Sequence, residues 1–291
     1  MPRILSALVA IVLALGSVIL GSWYFTAFFG VIVYLGQLEY FQMARAKGIA
    51  PAAKTTLFVT QLLLVISTAT PSLTDAVVPV AGTLICFYLL FQPKLASIAD
   101  IAASILGLFY GGHLPSYWVR LRSLESFTTG NLPLGGYWPT QWEGFAALPQ
   151  GLTDTLLAFF CIWAADIGAY IMGRSIGRTR LSNISPKKTV EGAICGVGAS
   201  MMVGLWGAWS LSWPLPLFTG ASLGLMIGVA SLLGDLTESM MKRDAGVKDS
   251  GKLIPGHGGI LDRADSYVFT APLVYYFVTL LLPMLERLTA S

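Results

Sequence analysis

Asp166, Asp235 and Glu238 lie inside long apolar runs. A carboxylate at bilayer depth costs about 2.5–3.5 kcal/mol on insertion scales, so it is kept for a partner, a cavity or an ion. Asp235, Glu238, Ser239 and Lys242 stand at i, i+3, i+4 and i+7, so a helix carries them as one polar stripe. Two acids on one face repel each other unless a cation or a basic group lies between them. Asp166, Tyr170 and Arg174 form a second stripe at i, i+4 and i+8. Taken alone, Asp166 would equally serve as a hydrogen bond between helices.

Both stripes run out into basic loops. The first, residues 174–190, carries Arg174, Arg178, Arg180, Lys187 and Lys188 among glycines, with hydroxyls on Ser185 and Thr189 and with Glu191 just beyond. Its composition suits a polyanion. Ser185-Pro186 is expected to open the next helix, with Pro in the first turn and free N–H groups toward phosphate. Anchoring to anionic lipid headgroups explains the charges but not the Gly, Ser and Thr. The second loop, residues 243–264, places Asp244, Asp249, Asp262 and nearby Asp265 among Lys242, Arg243, Lys248, Lys252 and Arg263, around Gly256-His257-Gly258-Gly259. Carboxylates together with substrate phosphate are the usual way of holding Mg²⁺. Gly246 to Lys252 fits G-x-x-x-x-G-K, but Leu253 replaces the required hydroxyl and no strand precedes it, so a P-loop is excluded. The chain shows neither a Ser/His/Asp triad nor a zinc ligand set.

The elements that must position these groups are membrane helices. Of 291 residues, 55% are hydrophobic and 11% charged, where a soluble domain has about 25% charged. A water-soluble fold is excluded. A net charge of +3, dispersed along an apolar chain, does not argue for nucleic-acid binding. Cys86, Cys161 and Cys195 lie in apolar runs without ligand spacing. The first apolar run lacks a convincing cleavage site and is read as an uncleaved span. Spans of about 20 residues are expected near 4–20, 23–43, 55–69, 76–92, 97–112, 152–173, 191–211, 217–242 and 265–285. The expected fold is all-α: a polytopic integral membrane protein with about nine transmembrane helices. With the N-terminus cytoplasmic, every Lys and Arg except Arg120, Arg122 and Arg287 falls inside, as the positive-inside rule requires. Three regions follow: an N-terminal scaffold over 1–112, a non-cytoplasmic interfacial loop over 113–150, and a catalytic region over 151–291.

Ser239 to Asp265 resembles the signature of the phosphatidate cytidylyltransferase (CDP-diacylglycerol synthase) family. Ser239, Lys242-Arg243, Lys248-Asp249, Pro255-Gly256-His257-Gly258-Gly259, Asp262-Arg263 and Asp265 match each fixed element. Asp166 to Glu191 is similar to the family's other shared segment, and the wording from Lys242 to Gly251 looks most like the cyanobacterial and plastid branch. The resemblance implies transfer of CMP from CTP to phosphatidate, giving CDP-diacylglycerol and pyrophosphate. It implies Mg²⁺, with a second, monovalent cation such as K⁺ beside it. Asp235 and Asp262 would be principal metal ligands and Asp249 and Asp265 lesser ones, with Lys242, Arg243 and Lys248 also catalytic. Substrate would meet Asp166, Arg174, Ser185, Lys187, Lys188, Thr189, Glu191, Ser239, His257, Gly258, Gly259 and Arg263. A homodimer is implied too, in a bacterial inner membrane or a thylakoid-type membrane with the site on the cytoplasmic side. The competing expectations are a secondary transporter of organic anions, which would show inverted repeats and a midplane site, and a cytidylyltransferase acting on another phosphorylated lipid.

Overall fold

The computed structural model describes residues 2–124, 130–141, 144–251, 253 and 258–290. The principal helices are α1 (Pro2–Leu20), α2 (Ser22–Ala46), α3 (Ala53–Ala69), α4 (Thr74–Leu90), α5 (Ile98–Leu108), α6 (Leu114–Arg122), α7 (Gln150–Ile176), α8 (Val190–Ser210), α9 (Pro216–Asp244), α10 (Leu261–Val268), α11 (Thr270–Tyr276) and α12 (Leu282–Ala290). Among the described residues no strand forms. One isolated bridge joins Arg180 to Thr189. π-Helical turns at Phe109–His113 and Phe277–Leu281 join α5 to α6 and α11 to α12. The protein is an all-helical membrane protein, and five of its helical stretches are long and apolar enough to cross a bilayer by length and composition: Pro71–Leu90, Gln150–Ile176, Val190–Ser210, Pro216–Asp244 and Leu261–Thr289.

The second half is built around α8, which packs against α7 on one side and α9 on the other. Lipid tails supply no hydrophobic force between helices, so association depends on close backbone approach over small residues. Gly192, Gly196, Ser200 and Gly204 recur every four residues along α8, and Gly220, Gly224 and Gly228 do so along α9. A Cβ on Gly196 would lie 2.6 Å from Ala165 O on α7, and one on Gly224 would overlap the backbone of Ser200 and Met201. Gly198 faces open space. Gly224→Leu is therefore expected to reach or exceed the top of the roughly 1–3 kcal/mol range for overpacking. Thermal melting in detergent should show the loss, while Gly198→Ala should melt close to the parent.

Three boundaries differ from expectation. The fifth helix does not end at residue 112: it continues through the π-turn and α6 to Arg122, so residues 113–122 are helix rather than interfacial loop. Arg120 and Arg122 suggest a solvated segment, yet both are buried. Arg120 pairs with Asp75 at 2.7 Å and lies over the rings of Tyr117 and Tyr275. Arg122 donates to the Val18 and Ile19 carbonyls at 2.5 and 2.8 Å, satisfying the open end of α1. Trp118 is wholly buried and donates to Tyr267 O at 2.9 Å. Second, Pro186 does not open a helix. Its neighbours Ser185 and Lys188 close a turn, and α8 begins at Val190 with Thr189 as its cap. Third, the last span begins at Leu261 instead of residue 265, which puts Asp262 on helix α10 with Asp265 rather than in loop.

Candidate active site

The stripe expected on α9 forms. Ser239 Oγ donates to Asp235 Oδ1 at 3.3 Å, and Lys242 Nζ pairs with Glu238 one turn below. Helix α10 crosses this face closely. Gly234 permits it, since a Cβ there would sit 2.5 Å from Asp265 O. The crossing brings Asp265 to Asp235 and Glu238, and one oxygen of each carboxylate lies within 4.8 Å of the others. Glu238 and Asp265 are buried and Asp235 is half-buried.

Two lysines balance the acids. Lys188, from the 174–190 loop, pairs with Asp235, and Lys242 bridges Glu238 to Asp262 Oδ1 at 2.6 Å. A lysine of the 174–190 loop, expected to bind polyanion, therefore shares one centre with the carboxylates of α9 and α10. Three hard oxygen donors so close together suit a divalent ion such as Mg²⁺. A phenol supports this fit: the Tyr110 hydroxyl is buried, makes no hydrogen bond, and lies in the field of the same three carboxylates. An unpaired buried hydroxyl is costly unless a ligand or its water shell satisfies it.

Asp262 borders the cluster with its oxygens already engaged. Oδ1 takes Lys242, and Oδ2 accepts Ser250 N at 2.9 Å and Gly259 N at 2.8 Å. Gly258 sits at φ 86°, where a Cβ would lie 2.6 Å from Asp262 Oδ2, so glycine is required there. Asp235, Glu238 and Asp265 are therefore the carboxylates that could hold an ion here, while Asp262 Oδ1 is occupied by Lys242.

The other expected residues fall into four groups. Thr189 Oγ1 accepts Gly192 N at 3.2 Å as the α8 N-cap, and Glu191 accepts the N–H groups of Arg178 and Thr179 at 3.1 Å. Both shape the 174–190 loop. Arg174, Lys187, Arg243, Lys248, Asp249 and Arg263 are exposed. Within this group Arg174 donates to the Tyr170 hydroxyl, and Arg243 reaches the Ile184 and Val247 carbonyls across the two loops. Asp166 lies on the open side of α7, 3.3 Å from Ser231 Oγ and 3.4 Å from Ser266 Oγ. Lys252, Pro255, Gly256 and His257 lie outside the described residues.

Three residues of the site were not foreseen: Tyr110, Ser250 and Glu39. Glu39, on α2, is 2% exposed and accepts hydrogen bonds from Ser250 and from the start of α10. The region over 1–112 is thus part of the site and not scaffold alone. The signal was present: Glu39 is a carboxylate inside an apolar run, as Asp166 is.

Fold and site together define a membrane-embedded enzyme with a carboxylate cluster ringed by bases, the equipment of phosphoryl and nucleotidyl transfer. The chain belongs to the Cytidylyltransferase family, whose pattern matches residues 1–281. It is 66% identical over 289 residues to a Synechocystis protein named phosphatidate cytidylyltransferase, covering 98% of this chain and 99% of that one. It is 42% identical over 278 residues to Arabidopsis thaliana phosphatidate cytidylyltransferase 4, chloroplastic, covering 93% and 71%. A Bacillus subtilis phosphatidate cytidylyltransferase is 32% identical over 201 residues, covering 69% and 66%. The cyanobacterial and plastid relatives agree with the branch suggested by the wording from Lys242 to Gly251.

Proposed function

We propose that the chain transfers CMP from CTP to phosphatidate, releasing pyrophosphate and leaving CDP-diacylglycerol in the membrane. The observation that carries this reading is the convergence of the Asp235, Glu238 and Asp265 carboxylates with Lys242 of α9 and Lys188 of the 174–190 loop, at the end of one long apolar helix. A lipid phosphate and a soluble nucleotide can meet only at such a boundary.

The acceptor needs no strong general base. The second pKa of a phosphate monoester is about 6, so phosphatidate is largely dianionic at neutral pH. One of its oxygens attacks the α-phosphorus of CTP, and the bond from that phosphorus to the bridging oxygen breaks with pyrophosphate as leaving group. The obstacle is bringing one polyanion to another. Lys188, paired with Asp235, and the exposed Lys187, Arg174, Arg243, Lys248 and Arg263 of the two basic loops would neutralise phosphate charge, which makes catalysis mostly positioning and electrostatics. Bound Mg²⁺, held by Asp235, Asp265 and Glu238 with Asp262 adjoining, would supply further charge neutralisation at phosphoryl oxygens. The Gly258-Gly259 turn, whose Gly259 N–H is held by Asp262, would lie beside it, and a monovalent cation near Asp166 would suit the remaining carboxylate.

The same reading holds that the nine helical runs each cross the bilayer with the N-terminus inside, which places both basic loops on the cytoplasmic face in accord with the positive-inside rule. It takes the chain to act as a homodimer in a bacterial inner or thylakoid-type membrane. The test is an assay in detergent with labelled CTP, offering phosphatidate or an isoprenoid phosphate, with and without Mg²⁺. Label should enter phosphatidate only when Mg²⁺ is present. Product on the isoprenoid phosphate alone would overturn the acceptor.

A further inference from the structure

Helix α10 carries Asp262 and Asp265 in its first turns, yet it begins without a cap of its own. Its N-cap position is Ile260, which has no side-chain acceptor. The acceptor comes from Glu39, far away in the chain on α2. Glu39 Oε1 accepts Ile260 N at 3.0 Å and Oε2 accepts Leu261 N at 2.9 Å. Ser250 Oγ stands 2.9 Å from Glu39 Oε2 and 3.0 Å from Asp262 Oδ2, so its single proton serves either carboxylate. Gly251 and Gly259 close over the Glu39 carboxylate, where any Cβ would overlap it. A carboxylate at a helix N-terminus is held by charge-assisted bonds and by the helix dipole.

We propose that Glu39 is a positioning residue for the metal site: by capping α10 from α2 and sharing Ser250 with Asp262, it sets where Asp262 and Asp265 face the cluster. The claim rests on the cytidylyltransferase reading only in taking that cluster as a metal site. Its chemistry follows from the geometry. Glu39→Gln leaves one oxygen for three donors and turns an N–H₂ toward either a backbone N–H or the Ser250 hydroxyl. The cap is then half lost, and α10 is free to rotate its two acids off the centre.

The experiment measures Mn²⁺ binding by electron paramagnetic resonance titration of the purified full chain, together with the Mg²⁺ half-saturation of CMP transfer and the KM for CTP. Glu39→Gln should weaken Mn²⁺ binding and raise the Mg²⁺ half-saturation in parallel by about 10–100-fold, the scale of outer-shell partners, while KM for CTP moves less. Ser250→Ala buries no charge change and should shift the metal terms in the same direction, which keeps the test decisive if Glu39→Gln does not fold. Parental values for Mn²⁺ binding and Mg²⁺ half-saturation in a folded Glu39→Gln, or in Ser250→Ala, would overturn the proposal. So would a parent chain that binds no Mn²⁺. A parent that binds Mn²⁺ but transfers no CMP would instead sink the reaction assigned above, with the Mn²⁺ titration still judging Glu39.

Discussion

Asp235→Asn is expected to lower CMP transfer by well over 100-fold while membrane insertion and melting temperature stay near the parent. Asp235 is half-buried and meets the centre with both oxygens, one taking Ser239 and the other Lys188. Asn preserves the shape and the bond to Ser239 but removes the charge that a cation and Lys188 both require. Loss of an outer-shell partner alone costs about 10–100-fold, so loss of a direct oxygen donor should exceed that. Steady-state transfer with labelled CTP across a Mg²⁺ series checks it. Ordinary Mg²⁺-dependent turnover in the purified variant would remove Asp235 from the ion. Asp262→Asn is also expected to lose activity, by a separate route, because it loosens both Lys242 and the Ser250–Gly259 turn.

Lys242→Met should be the most destabilising single change at the site. Glu238 is 0% exposed, and its only partner among the described contacts is Lys242, which also holds Asp262. Removing the shared cation strands an uncompensated carboxylate, and breaking a buried pair from one side costs about 3–5 kcal/mol. The melting temperature in detergent should fall markedly. Adding Glu238→Gln to Lys242→Met should recover much of that stability, because the buried charge is gone, and should recover none of the activity. A single variant that melts like the parent would show that the pair does not carry the load assigned to it.

Much of this site can be read in the sequence because helical spacing is local. Asp235, Glu238, Ser239 and Lys242 fall on one face whatever the rest of the chain does, and the observed Asp235–Ser239 and Glu238–Lys242 contacts follow. The partners that arrive from elsewhere have no such signature. Lys188 meets Asp235 only because α8 packs on α9 over glycines, and Glu39 meets α10 only after α2 folds beside it. Thr189 and Glu191 have the composition of a phosphate cradle, but their oxygens are spent on Gly192, Arg178 and Thr179. Hydroxyls and acids near a helix start serve capping and ligand binding alike, and only geometry separates the two. Arg120 and Arg122 mislead in the opposite sense. Charge marks the end of a membrane span by default, whereas here Asp75 and the carbonyls ending α1 allow both guanidinium groups to be buried inside the helix bundle.

The most direct measurement is the anomalous scattering of Mn²⁺ in crystals of the full chain. The account predicts a peak among Asp235, Glu238 and Asp265, with Tyr110 close by and Lys242 beside it. A peak confined to the exposed Asp244 and Asp249 segment, with the α9–α10 crossing empty, would contradict it.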